Sequence, residues 1–404
     1  MTIFTSATFK TCARTFIAAA LAASLLAVLL FSGCVRPTQQ DLGRRYEIIS
    51  YRESLRLARR LDPASQGLCS WTDLEDPLLR SLSFAEKKPE NALAVDTRTL
   101  KITWGRVQKS LRLMLSLLHD LDADPGLLAQ KFQWLRIRPQ TLMTGYYEPS
   151  LNASLTPDPA YPYPLYGPPP DLRKVDLGAF HHRWKGQTLI YRMTDNGIEP
   201  YPDRDAIDYK GALDGEGAEI AWAQDPVDVF FLQIQGSGRL ALPDGSVRHI
   251  LYADKNGRPY VSIGRVLIER GLLPAEGMSM QAIRQFIGDH PDMAGEILRQ
   301  NPSYVFFRLA NSGPIGASGE ILAPKVSLAV DRSFIPMSGL LAMHAEIPST
   351  EGPRELQGIG LAQDTGGAIQ GNHVDLFCGS GEEAAHTAGG LKTDATLHLL
   401  LARE

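Results

Sequence analysis

The chain has 404 residues and a formal net charge of -4 at pH 7. It contains no basic tract of the kind that binds nucleic acid, so no nucleic-acid partner is expected. Its length is sufficient for two or three domains with their own hydrophobic cores.

The first 34 residues have the pattern of a lipoprotein signal. Lys10 and Arg14 are the only charged residues before position 36, and the run that follows, residues 16–31, is apolar apart from one serine. A basic start, a short apolar segment and small residues before a cleavage point are typical of secretory signals. An uncleaved membrane-spanning helix is the alternative, but it needs roughly 20 apolar residues. We expect residues 1–33 to be removed and Cys34, which follows Ser-Gly, to be lipidated.

The segment after the signal changes from a polar tether to a helical pattern. Residues 34–45 are polar and are expected to lead away from the membrane. Residues 46–133 carry apolar side chains at three- and four-residue spacing, most clearly between Val107 and Leu118, which predicts helices. Once the signal is removed and Cys34 is lipidated, Cys69 and Cys378 are the remaining cysteines. A disulfide between them and two separate thiols are both open.

After Pro139 the sequence becomes rich in Pro, Tyr and Gly, and short β-type runs alternate with turn signals. Many short strands favour a barrel over a layered α/β sheet. Helices are predicted over residues 263–270 and 280–286. Strands are predicted over residues 227–235, 239–242, 249–253, 304–309, 326–330, 340–345, 368–369, 374–378 and 397–401. The predicted fold class is therefore mainly β with N-terminal helices.

Three aspartates in Gly-rich C-terminal surroundings are the strongest candidates for chemistry: Asp331, Asp364 and Asp375. Strict alternation around Asp375 places residues 373, 375 and 377 on one face of a strand and residues 374, 376 and 378 on the other. If the second face is core, Asp375 points into a groove. Partly apolar surroundings raise the pKa of a carboxyl group, and a carboxyl that keeps its proton near neutral pH can act as a general acid.

Two of these aspartates also have a structural interpretation. Asp364, before Thr-Gly-Gly, is typical of a turn or cap residue that binds backbone N–H groups. Asp331, before Arg332, is typical of a salt-bridged or loop-bracing residue. A metal site made of Asp364, His373 and Asp375 is the weakest alternative. No Cys or His pair has zinc-ligand spacing, and no metal or cofactor is expected.

A second cluster lies earlier in the chain and combines tyrosines, amides and glycines. Flat apolar rings and neutral hydrogen-bonding groups suit a sugar, which has apolar ring faces and rims of hydroxyls. Alternatively, Tyr146 and Tyr147 are core or cross-strand residues, and the glycines mark a bulge or a close backbone approach. The candidate substrate-binding residues are Thr144, Gly145, Tyr146, Tyr147, Glu148, Gln233, Gln235, Gly236, Ser237 and Gly238.

Over residues 140–404 the sequence resembles the membrane-bound lytic murein transglycosylase A family. The blocks that carry the resemblance are TGYYEP, PLYGPPPDL, DPVDVFFLQIQGSGRL, YADKNGRPYVSIG, NPSYVFFR, AVDRSFIP, QDTGGAIQG and HVDLFCGSGEEAAHTAG, in the family's order. The resemblance implies a double-psi β-barrel domain built from residues 46–149 and 296–404. It also implies a smaller β-barrel-like domain, residues 150–295, inserted between these parts, with a groove for a glycan strand between the two domains.

The resemblance implies roles for the candidate residues as well. On the family's pattern Asp375 becomes the catalytic acid, a choice over Asp364 that rests on block identity. Asp331 and Asp364 become its supporting carboxylates, and the second cluster lines the groove. The implied reaction cleaves the β-1,4 bond between N-acetylmuramic acid and N-acetylglucosamine in peptidoglycan. One carboxyl acts as acid and then as base while a 1,6-anhydro ring closes.

Two other functions remain open at this point: a non-catalytic peptidoglycan-binding lipoprotein, and a muramidase that hydrolyses the same bond. Val35 after the lipidated cysteine favours sorting to the outer membrane, so the expected location is the periplasmic face of that membrane. The expected partners are peptidoglycan glycan strands and the membrane, through the lipid anchor. Cell-wall synthesis or division proteins are further candidate partners.

Overall fold

The computed structural model describes residues 45–97, 100–138 and 140–403. The signal peptide, the lipidated Cys34 and the tether as far as residue 44 are predictions that lie outside these residues. Within the described ranges, none of the helices is both long and apolar enough to cross a bilayer.

Short strands and helices alternate in the N-terminal region, which packs against the barrel described below. Thr103 begins the longest helix, because its side chain accepts a hydrogen bond from the backbone N–H of Arg106. That helix buries one apolar face, including Leu111 and Met114, in the same core as Leu399 of the barrel. The elements are β1 (Tyr46–Ile48), α1 (Tyr51–Ala58), α2 (Glu75–Glu86), β2 (Leu93–Asp96), β3 (Lys101–Thr103), α3 (Trp104–Leu121) and α4 (Leu127–Lys131).

Two strands, β4 (Phe132–Ile137) and β5 (Thr141–Glu148), lead into a long insert with its own sheet. The insert contains β6 (Ser150–Ser154), β7 (Tyr163–Tyr166), β8 (Arg173–Asp176), β9 (Thr188–Thr194), β10 (Gly197–Pro200), α5 (Arg204–Lys210), β11 (Glu219–Ala223), α6 (Pro226–Gln235), β12 (Ser237–Ala241), β13 (Val247–Lys255), α7 (Ile263–Glu269), α8 (Met280–Asp289), α9 (Pro291–Leu298) and β14 (Val305–Ala310). Its main sheet has the order β14-β13-β12-β6-β11-β7, and β8, β9 and β10 form a separate sheet.

The strand predicted over residues 227–235 is wrong, because this segment is helix α6. Asp225 caps the helix through the backbone N–H of Val227, and Pro226 occupies the first turn, where its missing N–H costs nothing. Gly236 ends the helix with a left-handed φ of 80°. Since the helix is buried on most sides, its apolar run is nearly continuous and lacks the periodicity that distinguishes a helix from a strand.

The C-terminal region completes a closed barrel. Its elements are β15 (Ser327–Ala329), β16 (Leu340–Ile347), β17 (Arg354–Asp364), β18 (His373–Ser380), α10 (Glu382–Gly390) and β19 (Lys392–Ala402). The strands pair in the order β19-β16-β17-β15-β18-β5, and β5 pairs back to β19. The far half of β19 pairs with β4, which pairs with β1. The strand predicted over residues 368–369 is wrong, because these residues lie in the Gly-rich loop between β17 and β18.

The alternation predicted around residue 375 is confirmed. Val374 and Leu376 are fully buried, Cys378 is nearly so, and all three belong to one apolar cluster of the barrel. Asp375 projects from the opposite face of β18 and stays partly exposed. Strand β18 thus holds the Asp375 carboxyl in a fixed position on the outer surface of the barrel.

Candidate active site

Strand pairing brings together residues that lie far apart in the sequence. Ala329 on β15 pairs with Asp364 on one side and with Asp375 on the other. Asp375 pairs in turn with Thr144 on β5, which pairs with Lys392 on β19. Because neighbouring strands lie about 4.8 Å apart, the Cα atoms of Asp364 and Asp375 are about 10 Å from each other. The small side chain of Ala329 occupies the position between them.

The Asp375 carboxyl is held by a short polar chain. Thr144 Oγ1 donates a hydrogen bond to Asp375 Oδ1 at 2.6 Å, and the same hydroxyl lies 2.8 Å from His373 Nε2. Burial raises the pKa of Asp375 to about 7, the Thr144 hydrogen bond opposes this rise, and the nearby Asp364 carboxylate adds to it. Burial also lowers the pKa of His373, so this ring is neutral at pH 7 and compatible with the Thr144 contact. Asp375 can therefore both give and accept a proton near neutral pH.

Asp364 has a different environment. Its Oδ2 accepts a hydrogen bond from the Tyr146 hydroxyl at 2.8 Å, and its Oδ1 accepts from the backbone N–H groups of Ala317 and Thr365, both at 2.8 Å. Burial raises the pKa of Asp364, and these three hydrogen bonds act against the rise. The carboxylate is thus fixed in place at the end of β17.

Asp331 lies in the turn after β15. Its Oδ1 accepts hydrogen bonds from the backbone N–H and the hydroxyl of Ser333, at 2.9 and 2.6 Å. Its Oδ2 accepts from the backbone N–H of Gly371 at 2.8 Å. Since Gly371 belongs to the loop that precedes β18, Asp331 braces the segment that carries Asp375.

An apolar patch lies beside the carboxylates. The rings of Tyr146 and Phe377 are 5.4 Å apart, and they share a small buried cluster with Ala329, Leu322 and Ile369. Burial and the adjacent Asp364 raise the pKa of Tyr146 well above its usual value, so its hydroxyl keeps its proton and donates to Asp364. This patch is the physical cause of the low polarity around Asp375 and Asp364.

The other residues of the TGYYEP block connect the barrel to the insert. A Cβ at Gly145 would lie 2.9 Å from Ala388 Cα, so glycine lets α10 pack on β5. The backbone N–H of Tyr147 donates to Gln235 Oε1 at 2.9 Å. Glu148 is fully buried and bonds with Arg239 and His249 of the insert, at 2.7 and 2.9 Å.

The candidates at the end of α6 have structural contacts. Gln233 is 5% exposed, and its Oε1 accepts a hydrogen bond from Arg204 at 2.6 Å. Gly236 ends the helix, and Ser237 begins β12. A Cβ at Gly238 would lie 2.9 Å from the carbonyl oxygen of Pro149, so glycine allows β12 to approach the backbone there. The structure therefore links Gln235 to the TGYYEP block and directs Gln233 into the interior of the insert.

Sequence reasoning missed three features of this site. It considered His373 as a ligand of an alternative metal site and did not predict the contact of its ring with Thr144. It gave no role to Ala329 or to the backbone N–H of Ala317, which contacts Asp364. Only the tertiary structure reveals these three contacts. Over the described ranges, no group of His, Cys, Asp and Glu has a geometry that could hold a metal ion. Cys69 and Cys378 are separate free thiols.

Two family models match this chain. The model described as the MltA specific insert domain matches residues 142–308, and the 3D domain matches residues 326–401. Among curated proteins, membrane-bound lytic murein transglycosylase A of Vibrio cholerae is 36% identical over 260 residues, which is 62% of each chain. The Escherichia coli K12 protein of the same name is 37% identical over 254 residues, which is 61% of each chain. The matched region thus spans less than two thirds of each of these relatives.

Solved structures extend the similarity to nearly the whole chain. A membrane-bound lytic murein transglycosylase from Agrobacterium tumefaciens has a TM-score of 0.73 and 34% identity, with 89% of this chain and 98% of that chain covered. Escherichia coli MltA with bound chitohexaose has a TM-score of 0.57 and 27% identity, with 89% and 92% covered.

Proposed function

Because the chain belongs to the membrane-bound lytic murein transglycosylase A family, we propose that it cleaves peptidoglycan as a lytic transglycosylase. The bond cut is the β-1,4 linkage between N-acetylmuramic acid and N-acetylglucosamine. The product carries a 1,6-anhydromuramic acid end. Chitohexaose, which the Escherichia coli relative binds, is a chain of β-1,4-linked N-acetylglucosamine and supports a glycan as ligand.

The observation that carries the proposal is the state of Asp375, whose carboxyl has its pKa raised by burial to about 7. In the first half of the reaction Asp375 gives its proton to the glycosidic oxygen as the bond to C1 of the muramic residue breaks. In the second half its carboxylate takes the proton of the C6 hydroxyl, whose oxygen forms the new bond to C1. The proton from the C6 hydroxyl replaces the one that left with the glycosidic oxygen, so Asp375 ends the reaction protonated and no water enters. An internal nucleophile also has the rate advantage of high effective concentration.

The remaining carboxylates have supporting roles in this proposal. Asp364, close enough to raise the pKa of Asp375, stabilises the positive charge that develops on the sugar ring. Asp331 holds the loop before β18 through Gly371. Thr144 orients Asp375, and the other TGYYEP and QGSG residues shape the groove wall between the barrel and the insert.

A hydrolytic muramidase needs a second carboxyl group that acts as nucleophile or activates water. The two carboxyl groups of such an enzyme lie roughly 5–9.5 Å apart. Asp364 is the nearest candidate, but its two oxygens already accept three hydrogen bonds. These bonds reduce its capacity to act as a base. They favour the one-carboxyl mechanism over hydrolysis.

The proposed location follows from the predicted lipid anchor at Cys34 and from relatives that are named as membrane-bound. An anchor on the periplasmic face of the outer membrane keeps the enzyme beside an insoluble substrate. Tethering raises the local concentration of enzyme without any new contact.

The test is mass spectrometry of soluble products released by the full chain from purified sacculi. Anhydro ends are lighter than hydrolytic reducing ends by one water. We expect anhydro-muropeptides. Reducing-end products would establish hydrolysis, and sacculus binding without soluble product would establish a non-catalytic binding protein.

The pH dependence provides a second prediction. Because Asp375 must begin the reaction protonated, kcat/KM should fall as the pH rises through about 7. Thr144→Val removes a hydrogen bond that favours the carboxylate, so it should move this fall to higher pH by about one unit. Asp364→Asn removes a repulsive charge and should move it to lower pH. The pH–rate profiles of the two variants are the measurement, and shifts in the same direction would contradict the assigned electrostatics.

A further inference from the structure

Helix α1 and the turn that follows it carry four exposed arginines. Arg52 and Arg56 lie one turn apart on the same face of the helix, and Arg59 and Arg60 follow its last residue, Ala58. The opposite face, with Ala58, is buried. Among the described residues, the one ion pair of these arginines joins Arg56 to Glu53 at 3.9 Å, and the Arg56 side chain remains 71% exposed. We call these four residues the arginine face.

A cavity of about 420 Å³ lies beside the arginine face. Arg56 and Arg60 line it together with Arg136 and Arg138, and Glu53 is the one carboxylate in its lining. Arg136 pairs with Glu53 and Glu47, and Arg138 pairs with Glu47. The cavity is thus positively charged although the whole chain is slightly negative. None of the proposed groove residues lines it.

His398 lines the same cavity and supplies an independent sign of a ligand. The residue is 3% exposed, and its Nε2 atom has no hydrogen-bond partner in the part of the chain that the structure describes. Buried polar atoms are rarely left unpaired in folded proteins. Burial and the adjacent Arg136 lower the pKa of His398 to about 4, so the ring is neutral at pH 7. In the tautomer with its proton on Nε2 it can donate to an anionic oxygen.

The position of Tyr46, near the first residue that the structure describes, indicates which anion this is. Strand β1 pairs Tyr46 with Ile137, a residue of the cavity wall. Eleven residues separate Tyr46 from Cys34, so Tyr46 lies at most about 40 Å from the lipidated residue. Ile48 and Tyr51, next to the arginine face, are 63% and 50% exposed. Basic residues beside exposed apolar and tyrosine side chains are typical of surfaces that lie on a bilayer.

We propose that the arginine face docks on an anionic phospholipid surface and that the adjacent cavity takes the phosphate of one headgroup. The bilayer is the one that holds the proposed lipid anchor, so the inference rests on the proposed anchoring and not on the proposed chemistry. Docking would fix the orientation of the barrel relative to the membrane, which attachment at Cys34 alone does not do.

The test uses the full chain, lipidated at Cys34, in vesicles of phosphatidylcholine with and without phosphatidylglycerol. Hydrogen exchange of the α1 amides should be slower in the vesicles that contain phosphatidylglycerol. Each arginine at an anionic surface changes the docking equilibrium by about five-fold. The double variant Arg56→Gln, Arg60→Gln should therefore weaken docking about 25-fold and lose the protection. The matched control is Arg248→Gln, Arg265→Gln, which changes two exposed arginines of the insert.

Three outcomes would overturn the proposal. In the first, the α1 exchange rates are the same with and without phosphatidylglycerol. In the second, inorganic phosphate alone protects α1 in phosphatidylcholine vesicles, which indicates a soluble ligand. In the third, soluble peptidoglycan fragments protect α1 and phosphatidylglycerol does not.

Turnover of soluble glycan fragments by the Arg56→Gln, Arg60→Gln variant should equal that of the wild type. An inactive Asp375 variant should still dock, so failure of one proposal is distinguishable from failure of the other.

Discussion

Replacing Asp375 by asparagine is expected to reduce the release of anhydro-muropeptides from sacculi by a factor of about 10²–10⁴, the usual contribution of a general acid–base group. Asparagine keeps the shape of the side chain and still accepts the hydrogen bond from Thr144, but it cannot give a proton to the glycosidic oxygen. Quantitative mass spectrometry of soluble products measures the effect. Near-full turnover by the variant would remove Asp375 from the mechanism.

The stability of the same variant shows whether the loss of activity is chemical. In the wild type the pKa of Asp375 rises from 3.8 to about 7 on folding. The folded state therefore binds more protons than the unfolded state between these values, and the wild type loses stability as the pH rises through this range. Asp375→Asn lacks this loss, so its free energy of unfolding at pH 8 should exceed that of the wild type by about 2–4 kcal/mol. Near pH 3 the two should differ little.

A denaturant titration of both proteins at the two pH values provides this measurement. A variant that is less stable than the wild type at pH 8 would mean that the carboxylate is well solvated or paired in the folded protein. The interpretation of Asp375 as a carboxyl that is protonated because it is buried would then be wrong.

Replacing Arg204 by methionine should produce the largest loss of stability in the insert. The guanidinium is buried and donates to Gln233 Oε1 and to the carbonyl oxygens of Asn301 and Ser303, at 2.6, 3.0 and 2.8 Å. It also lies 4.6 Å from the ring centre of Phe230. Methionine fills similar space but leaves these acceptors without partners. We expect a loss of about 3–5 kcal/mol, the usual result of breaking a buried charged network.

Thermal unfolding detects this loss as a lower Tm, by roughly 10 °C. Arg248→Met is the control, because Arg248 is exposed and bonds only with Asn311 among the described residues. It should change the Tm by less than about 1 °C. Equal effects of the two substitutions would show that the Arg204 contacts contribute no more than surface contacts. Since α6 precedes Gly236–Gly238, residues proposed to shape the glycan groove, Arg204→Met should also weaken glycan binding.

The amino-acid sequence by itself determined the local features on which the proposed chemistry rests. Alternation around Asp375 fixed which side chains leave the barrel core, because successive residues of a strand point to opposite faces. The ordered blocks between residues 140 and 404 determined the family, which two models and the solved relatives confirm. Asp364 and Asp331 were both recognised as residues that also suit turns and loops, and both accept backbone N–H bonds.

Only the tertiary structure decided which of these residues meet. The row Asp364, Ala329, Asp375 and Thr144 comes from four strands, and its existence depends on the pairing order β17-β15-β18-β5. Periodicity reveals which face of an element is apolar, but it carries no information about which element lies beside it. The same reason explains why α6 was predicted as a strand, since burial on most sides by the rest of the insert removed its periodic signal. The raised pKa of Asp375 likewise depends on burial by residues distant in sequence.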